Sequence, residues 1–332
     1  MATHRVGGGR RRPECNSDQR VDSRPRAPSF PEAATAGRKN SMNNSLIVNF
    51  QLDHLVIAVK DLPRAIENYR QMGFNVVSGG RSEHAPTKNA RVFFFDGSYL
   101  ELIEWTAPAP GEKWYDRLTQ YGEGYVGFAL LPSDITRAIS QAALAGIHCS
   151  GPVAGASIKY SDEQVQWHLS WPDIHALPFL CSDVTPRSLR VTEGHVRHHP
   201  NLALGIQSIA FRVAKLESST RFYCGLLGTK AEQGPDELSL LESEGVVVRT
   251  FRFGGTELHL VTPVDSSGPG LGAWLSRELK TKGEGIYGLC IRGIRQGFSS
   301  ESLSELSPGT TLRVASEDMS LLEQISPVAK SN

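Results

Sequence analysis

From residue 48 onward, short apolar bursts are each followed by a segment with one apolar and one polar face. In the first burst, LDHLVIAVKDLPRAIENYR (52–70), LDHLVIAV reads as a strand and LPRAIENYR as a polar-faced helix. Asp61 is the expected N-cap, Pro63 falls early in the helix, and Gly73 ends it. ARVFFFDG and SYLELIEW then read as strands joined by an Asp96–Gly97 turn. The predicted order is one strand, one helix, then about three antiparallel strands.

That order recurs. Units start again at GYVGFALLPSDITRAISQAALAG, at GIQSIAFRVAKLESSTRFYCG and, less completely, at GIYGLCIRGIR. Leu62, Ile135 and Leu216 align as helix-entry positions without gaps. EKWYDRLTQYGEGYVGFAL also echoes GAWLSRELKTKGEGIYGLCI, so units one and two resemble units three and four as pairs. The expected fold is α+β: paired βαβββ modules in two halves, with curved mixed sheets and helices outside. The expected domains are a disordered tail at 1–48, a first half at 49–188, a linker at 189–203, a degenerate second half at 204–320 and a tail at 321–332.

Alternation assigns the faces. His54, Val56 and Ala58 share one side of the first strand, and the larger aliphatics Leu55, Ile57 and Val59 belong under the helix. Tyr99, Glu101 and Ile103 likewise oppose Leu100 and Leu102. His54 and Glu101 are therefore expected to converge inside a cup. A buried carboxylate needs a partner, and three readings stay open. The pair is a structural hydrogen bond, an acid/base dyad in which the carboxylate fixes the imidazole tautomer, or part of a site for Zn, Ni, Fe or Mn that needs a third ligand. In VQWHLSW, Trp167 and Trp171 share one face, His168 and Ser170 the other; the two tryptophans, or His168, are candidates for the mouth of the second module. His259 with Glu257 is a weaker second pair, and Arg91 and Arg249 are candidates for an anionic substrate. The cluster His195, His198, His199 reads as solvated linker.

Composition narrows the class. The chain of 332 residues is 39% apolar and 21% charged with zero formal net charge, which argues against nucleic acid and anionic membranes as partners. No apolar run approaches the ~20 residues of a membrane span. Five scattered cysteines without CxxC spacing argue for a reducing, cytoplasmic setting rather than a disulfide framework. The Arg-rich start leaves mitochondrial targeting as a minor alternative, opposed by Glu14, Asp18, Asp22 and Glu32.

LDHLVIAVKDL, VSGGR, TKNA, DGSYLELIEW, LPFLCSD and HPN together resemble the vicinal oxygen chelate superfamily, and within it the glyoxalase-like domain family. The resemblance implies a cup around a divalent metal or a small organic ligand, with ligands from the first and last strands of each module. Carried over, those positions are His54 and Glu101 in module one, Gly127 and Phe179 in module two, and Ser208 with His259 or Glu257 in module three. Module two can hold no metal, so true glyoxalase I activity is not expected. The family's histidine between Thr87 and Asn89 is here Lys88, so its role is either lost or taken by His84. The implied function is a lyase or isomerase of a small oxygenated molecule, a monomer or homodimer, with His54 and Glu101 catalytic and His84, Asn89, Tyr99, Trp167, His168 and Phe179 contacting substrate. The alternative is a non-catalytic sequestration protein.

Overall fold

A computed structural model describes residues 48–81, 86–158, 163–228 and 237–293, with 303, 306–307, 309–316 and 319–327 beyond them. The expected disordered tail and His84 lie outside the described residues. Unit one is β1 (Phe50–Ala58), α1 (Leu62–Gln71), β2 (Val77–Arg81), β3 (Thr87–Phe93) and β4 (Tyr99–Trp105). After α2 (Lys113–Tyr121), unit two is β5 (Gly124–Pro132), α3 (Ile135–Leu144), β6 (Val153–Ile158), β7 (Gln164–Ser170) and β8 (Phe179–Asp183). Following α4 (Arg187–Arg190), unit three is β9 (Gly205–Arg212), α5 (Leu216–Leu227), β10 (Glu237–Leu241), β11 (Val246–Phe253) and β12 (Thr256–Pro263). α6 (Leu271–Lys282) leads into β13 (Gly285–Arg292), β14 (Leu312–Val314) and α7 (Leu321–Ile325).

Local chemistry sets these boundaries. Asp61 Oδ1 accepts from the Arg64 amide at 2.9 Å, and Asp134 Oδ1 does the same for Arg137 at 3.0 Å, so α1 and α3 start on matching caps. The Asp-Gly turn forms as expected: Gly97 has φ +85° and its amide reaches Phe94 O at 3.1 Å.

The units make two sheets, β2-β3-β4-β1-β5-β8-β7-β6 and β10-β11-β12-β9-β13-β14. In each, two first strands run antiparallel at the centre, and a parallel last strand flanks each of them. Leu55 and Ile57 share one apolar core with Ile209, Phe211, Tyr223 and Leu258, so both sheets bury the same side into common packing. Ile47–Asn332 consequently forms one compact unit.

The register slips within β1. Leu52 opposes Leu130 and His54 opposes Ala129, which makes Asp53 the extra residue of a β-bulge. β9 carries the same slip, with Ser208 opposite Cys290 and Ile206 opposite Ile291. The bulge turns Asp53 toward the side chain of its neighbour, a direction strict alternation denies it.

Residues 189–203 differ from the solvated linker expected of them. His195 and His198 are exposed, but His199 is buried at 3% exposure. Its Nδ1 accepts from the Asn75 amide and its Nε2–H donates to Phe93 O, both at 3.0 Å. Asn201, fully buried, donates to Met72 O at 2.8 Å. The HPN stretch thus ties the end of α1 to β3. Residues 321–325, expected to be a tail, form α7 on the second sheet.

Burial, only partly offset by the bond to Phe93 O, lowers the His199 pKa from 6.5 to about 4. A proton on Nδ1 would break the Asn75 bond, so the unfolded chain binds that proton more readily. Stability should therefore fall as pH drops from about 6.5 toward 4, by on the order of 2 kcal/mol at pH 5. His199→Ala should cost about 1–3 kcal/mol at pH 7 by stranding two backbone groups, yet flatten that fall. Urea denaturation at pH 7 and pH 5 checks this; an unchanged pH slope in the variant refutes it.

Candidate functional site

The strand pairing places His54 beside Tyr99 and Glu101 beside Val56, two residues along β1. Glu101 also opposes Arg91 across β3. Three neighbouring strands therefore present His54, Glu101, Asn89 and Arg91 on one face. His54 Nε2 lies 3.7 Å from Glu101 Oε2. The expected convergence is present, but this separation exceeds a hydrogen bond.

Each partner is held by something else. His54 Nδ1 is 2.6 Å from Asp53 Oδ2. Glu101 Oε1 accepts from Asn89 Nδ2 at 2.9 Å and Arg91 Nε at 3.2 Å. The reading in which His54 and Glu101 satisfy one another is thereby replaced: both are anchored from behind, and Nε2 and Oε2 face each other. His54 is buried, while Glu101, Asn89 and Arg91 are half-buried at the rim.

Behind the histidine lies a charge cluster that sequence reasoning missed. Asp53 is fully buried. Arg190 grips it through Nη1 and Nη2, each at 2.9 Å, and Arg187 Nη1 reaches Oδ1 at 2.6 Å. Asp183, at the end of β8, accepts from Arg190 Nε at 2.5 Å and Arg187 Nη1 at 2.9 Å. Arg190 Nη1 also donates to the Tyr99 hydroxyl at 2.9 Å. Two acids and two bases cancel, the arrangement in which buried charge is tolerated. Burial alone would raise the Asp53 carboxyl, but Arg190's charge and the hydrogen bonds from His54 and Arg190 hold it well below the usual carboxylate range. Burial also keeps the Tyr99 phenol well above its ordinary value, hence neutral. The only sequence signal was the acid directly before His54 in a strand expected to be buried.

Aromatic rings frame the imidazole. Tyr99 stacks on it at 4.6 Å, and Phe179 meets it edge-on at 5.3 Å. Phe179 stacks on Trp171 at 4.4 Å, and Trp114 packs against both. Gly127, which occupies the position of a module-two ligand, lies under Trp114: a β-carbon there would sit 3.1 Å from the indole. Trp167 joins this wall, whereas His168 alternates onto the opposite face of β7 and is removed from the cup. Tyr99, expected to touch substrate, is 2% exposed and acts instead as packing for His54. Lys88 pairs with Glu104 at 2.9 Å on the helix-bearing face.

The second half has the same register and a different content. His259 is buried, bonded to Thr250 Oγ1 at 2.9 Å and Gln324 Oε1 at 3.2 Å, with Glu257 Oε2 3.6 Å away. α7 supplies Gln324 and covers this cup, so His259 serves packing rather than a metal. Arg249 alternates with Val248 and Thr250 and so faces away from His259. Among the described residues, no three His, Cys, Asp or Glu side chains gather to hold a metal ion. The donors at His54 do not fit one either: two ligand atoms face the cup, and Arg91's guanidinium already pairs with Glu101. No helix among the described residues is long and apolar enough to cross a membrane.

A duplicated pair of βαβββ modules with a polar cluster on the inner face of one sheet defines the vicinal oxygen chelate fold. The model of the Glyoxalase-like domain family matches residues 52–227, and the chain belongs to that family. Among solved structures, a hypothetical protein from Staphylococcus aureus is similar at 13% identity and TM-score 0.58, covering 80% of this chain and 100% of its own. A mutant of 4-hydroxymandelate synthase from Streptomyces coelicolor is similar at 14% identity and TM-score 0.53, covering 77% of this chain and 75% of its own. No curated protein sequence matches significantly. At these identities the structures share the fold alone.

Removing one member of the buried cluster strands the others. Asp53→Asn should destabilise the protein by about 3–5 kcal/mol at pH 7. Because the folded carboxyl is held below its unfolded value, its contribution is full above the unfolded pKa and is lost as pH falls through the folded one. Urea denaturation of both proteins at pH 7 and pH 3 should show the gap narrowing in acid. A cost below 1 kcal/mol at pH 7 would contradict this account.

Proposed function

We propose that this glyoxalase-like protein is an enzyme that moves a proton beside the carbonyl of a small oxygenated molecule at the first-half site. The supporting observation is the Asp53–His54 contact of 2.6 Å at Nδ1. An ionised carboxylate there accepts a hydrogen bond from Nδ1–H, which fixes that tautomer and leaves the Nε2 lone pair directed at the cup as a general base. The imidazolium so formed returns that proton, or one exchanged with solvent, to the intermediate, and the Glu101 carboxylate, with Oε2 3.7 Å from Nε2, stabilises the ring while it is charged. Arg91 adds positive charge where an enolate oxygen would develop. Lyase and isomerase reactions both follow from this step.

A second reading, a binding protein that sequesters its ligand, draws on the wall formed by Trp114, Trp171 and Phe179, which suits a flat apolar molecule. In that case Glu101 is unnecessary.

The two readings separate in deuterium oxide. A panel of α-hydroxy carbonyl and 2-oxo acid compounds, followed by proton NMR, should reveal a member whose α-proton exchanges with solvent. His54→Ala and Glu101→Gln should each slow that exchange by about 100-fold or more, with the circular dichroism spectrum unchanged. Exchange at the wild-type rate in either variant would sink the catalytic reading. Binding without exchange, unaffected by Glu101→Gln, would establish sequestration.

A further inference from the structure

A cavity of about 320 Å³ lies between α2, the β7–β8 loop and the turn from α6 into β13. Phe179 borders both it and the imidazole, but neither His54 nor Glu101 lines it. We propose that this cavity binds a second small molecule, an organic carboxylate with a flat apolar body.

The charge at one end carries the inference. Arg117 Nε donates to Tyr125 O at 3.4 Å and its Nη1 to Lys282 O at 3.1 Å. Arg212, 2% exposed, donates through Nε to Gly283 O at 2.7 Å, and its Nη2 is buried with no partner among the described residues. The β-carbon position on Gly285 lies 3.1 Å from Arg117 Nη2 and 3.8 Å from Arg212 Nη2. Two guanidiniums thus flank one point where the chain carries no side chain, Arg117 lining the cavity and Arg212 buried behind it; among the described residues both hydrogen-bond only to backbone carbonyls, and Arg117 also lies 5.5 Å over the Tyr121 ring.

The nearby carboxylates each have another partner, although Glu278 also offsets part of the charge of both arginines. Asp116 accepts from the Gly111 amide at 3.1 Å, Glu284 from the Ala214 amide at 2.8 Å, and Glu278 pairs with Lys282 at 2.9 Å. Burial, with Arg117's charge beside it, pulls Arg212 down to about 10, and burial lowers Arg117 as well. Such a pair is relieved by an incoming anion, and a carboxylate accepts from guanidinium forks with matched geometry.

The remainder of the cavity sets the body of the ligand. Trp114, Trp171, Phe179 and Phe128 provide apolar walls. Lys113 holds its ammonium 4.5 Å over the Trp171 ring, with no carboxylate in ion-pair contact among the described residues. The volume suits a one- or two-ring molecule.

The test is calorimetric titration of the full chain with 2-naphthoate, with 2-naphthamide and inorganic phosphate as comparators. The acid should bind at least 10-fold tighter than either comparator. Arg117→Met should weaken it 10-fold or more, and this half-exposed helix position keeps the test valid should Arg212→Met fail to fold. His54→Ala should bind 2-naphthoate like the wild type, which makes the outcome independent of the proton-transfer reading. Absence of 2-naphthoate binding overturns the proposal, as does equal affinity for the amide or phosphate. Indifference to Arg117→Met or loss in His54→Ala overturns it too.

Discussion

A single carboxylate without access to water organises the first half of this protein. Asp53 is fully buried, and its charge is tolerable only because Arg190 and Arg187 enclose it. Those arginines, three residues apart on the one-turn helix α4, also hold Asp183 and Tyr99. The bulge of β1, the end of β8, the start of β4 and the segment leaving the first half are thereby fastened at one point. His54 inherits its orientation from this junction. The imidazole is placed by electrostatics from behind and by Tyr99 and Phe179 from the sides.

The two halves show how one register supports opposite outcomes. His54, Glu101 and Arg91 in the first sheet correspond to Ser208, His259 and Thr250 in the second, because β1–β4–β3 and β9–β12–β11 pair alike. The bulge is common to both, but its extra residue is Asp53 in one and Gln207 in the other. Without the acid, nothing at that position requires a pair of arginines to enclose it. In the second sheet α6 and α7 pack their apolar residues into the inner face and Gln324 completes the hydrogen bonding of His259. One half keeps polar groups at a rim, and the other has become core.

Module two contributes shape in place of ligands. Gly127 admits the Trp114 indole, and Phe179 sits where Glu101 sits in module one. The same Trp114 and Phe179 border the neighbouring cavity, so one aromatic layer separates the His54–Glu101 pair from the cavity lined by Arg117.

Much was legible in the sequence because repeats and alternation are local, periodic signals. The units, the helix cap at Asp61, the Asp96–Gly97 turn and the inward faces of β1 and β4 all follow from spacing along the chain. The pairing of His54 with Glu101 follows once two strands with known faces are set side by side. What escaped is what depends on residues far apart meeting after folding. A one-residue bulge breaks the period that assigns faces, so Asp53 could not be placed beside His54. RSLR (187–190) and HPN (199–201) read as polar linker because burial of a charge or an imidazole leaves no periodic trace; partners 134 residues from Arg187 and 124 from His199 decide it. The pattern of apolar residues determined the architecture, since the hydrophobic effect acts through side-chain spacing. Only the tertiary structure decided the chemistry of the site, since buried charge is stabilised by specific partners in space and by nothing visible along the chain.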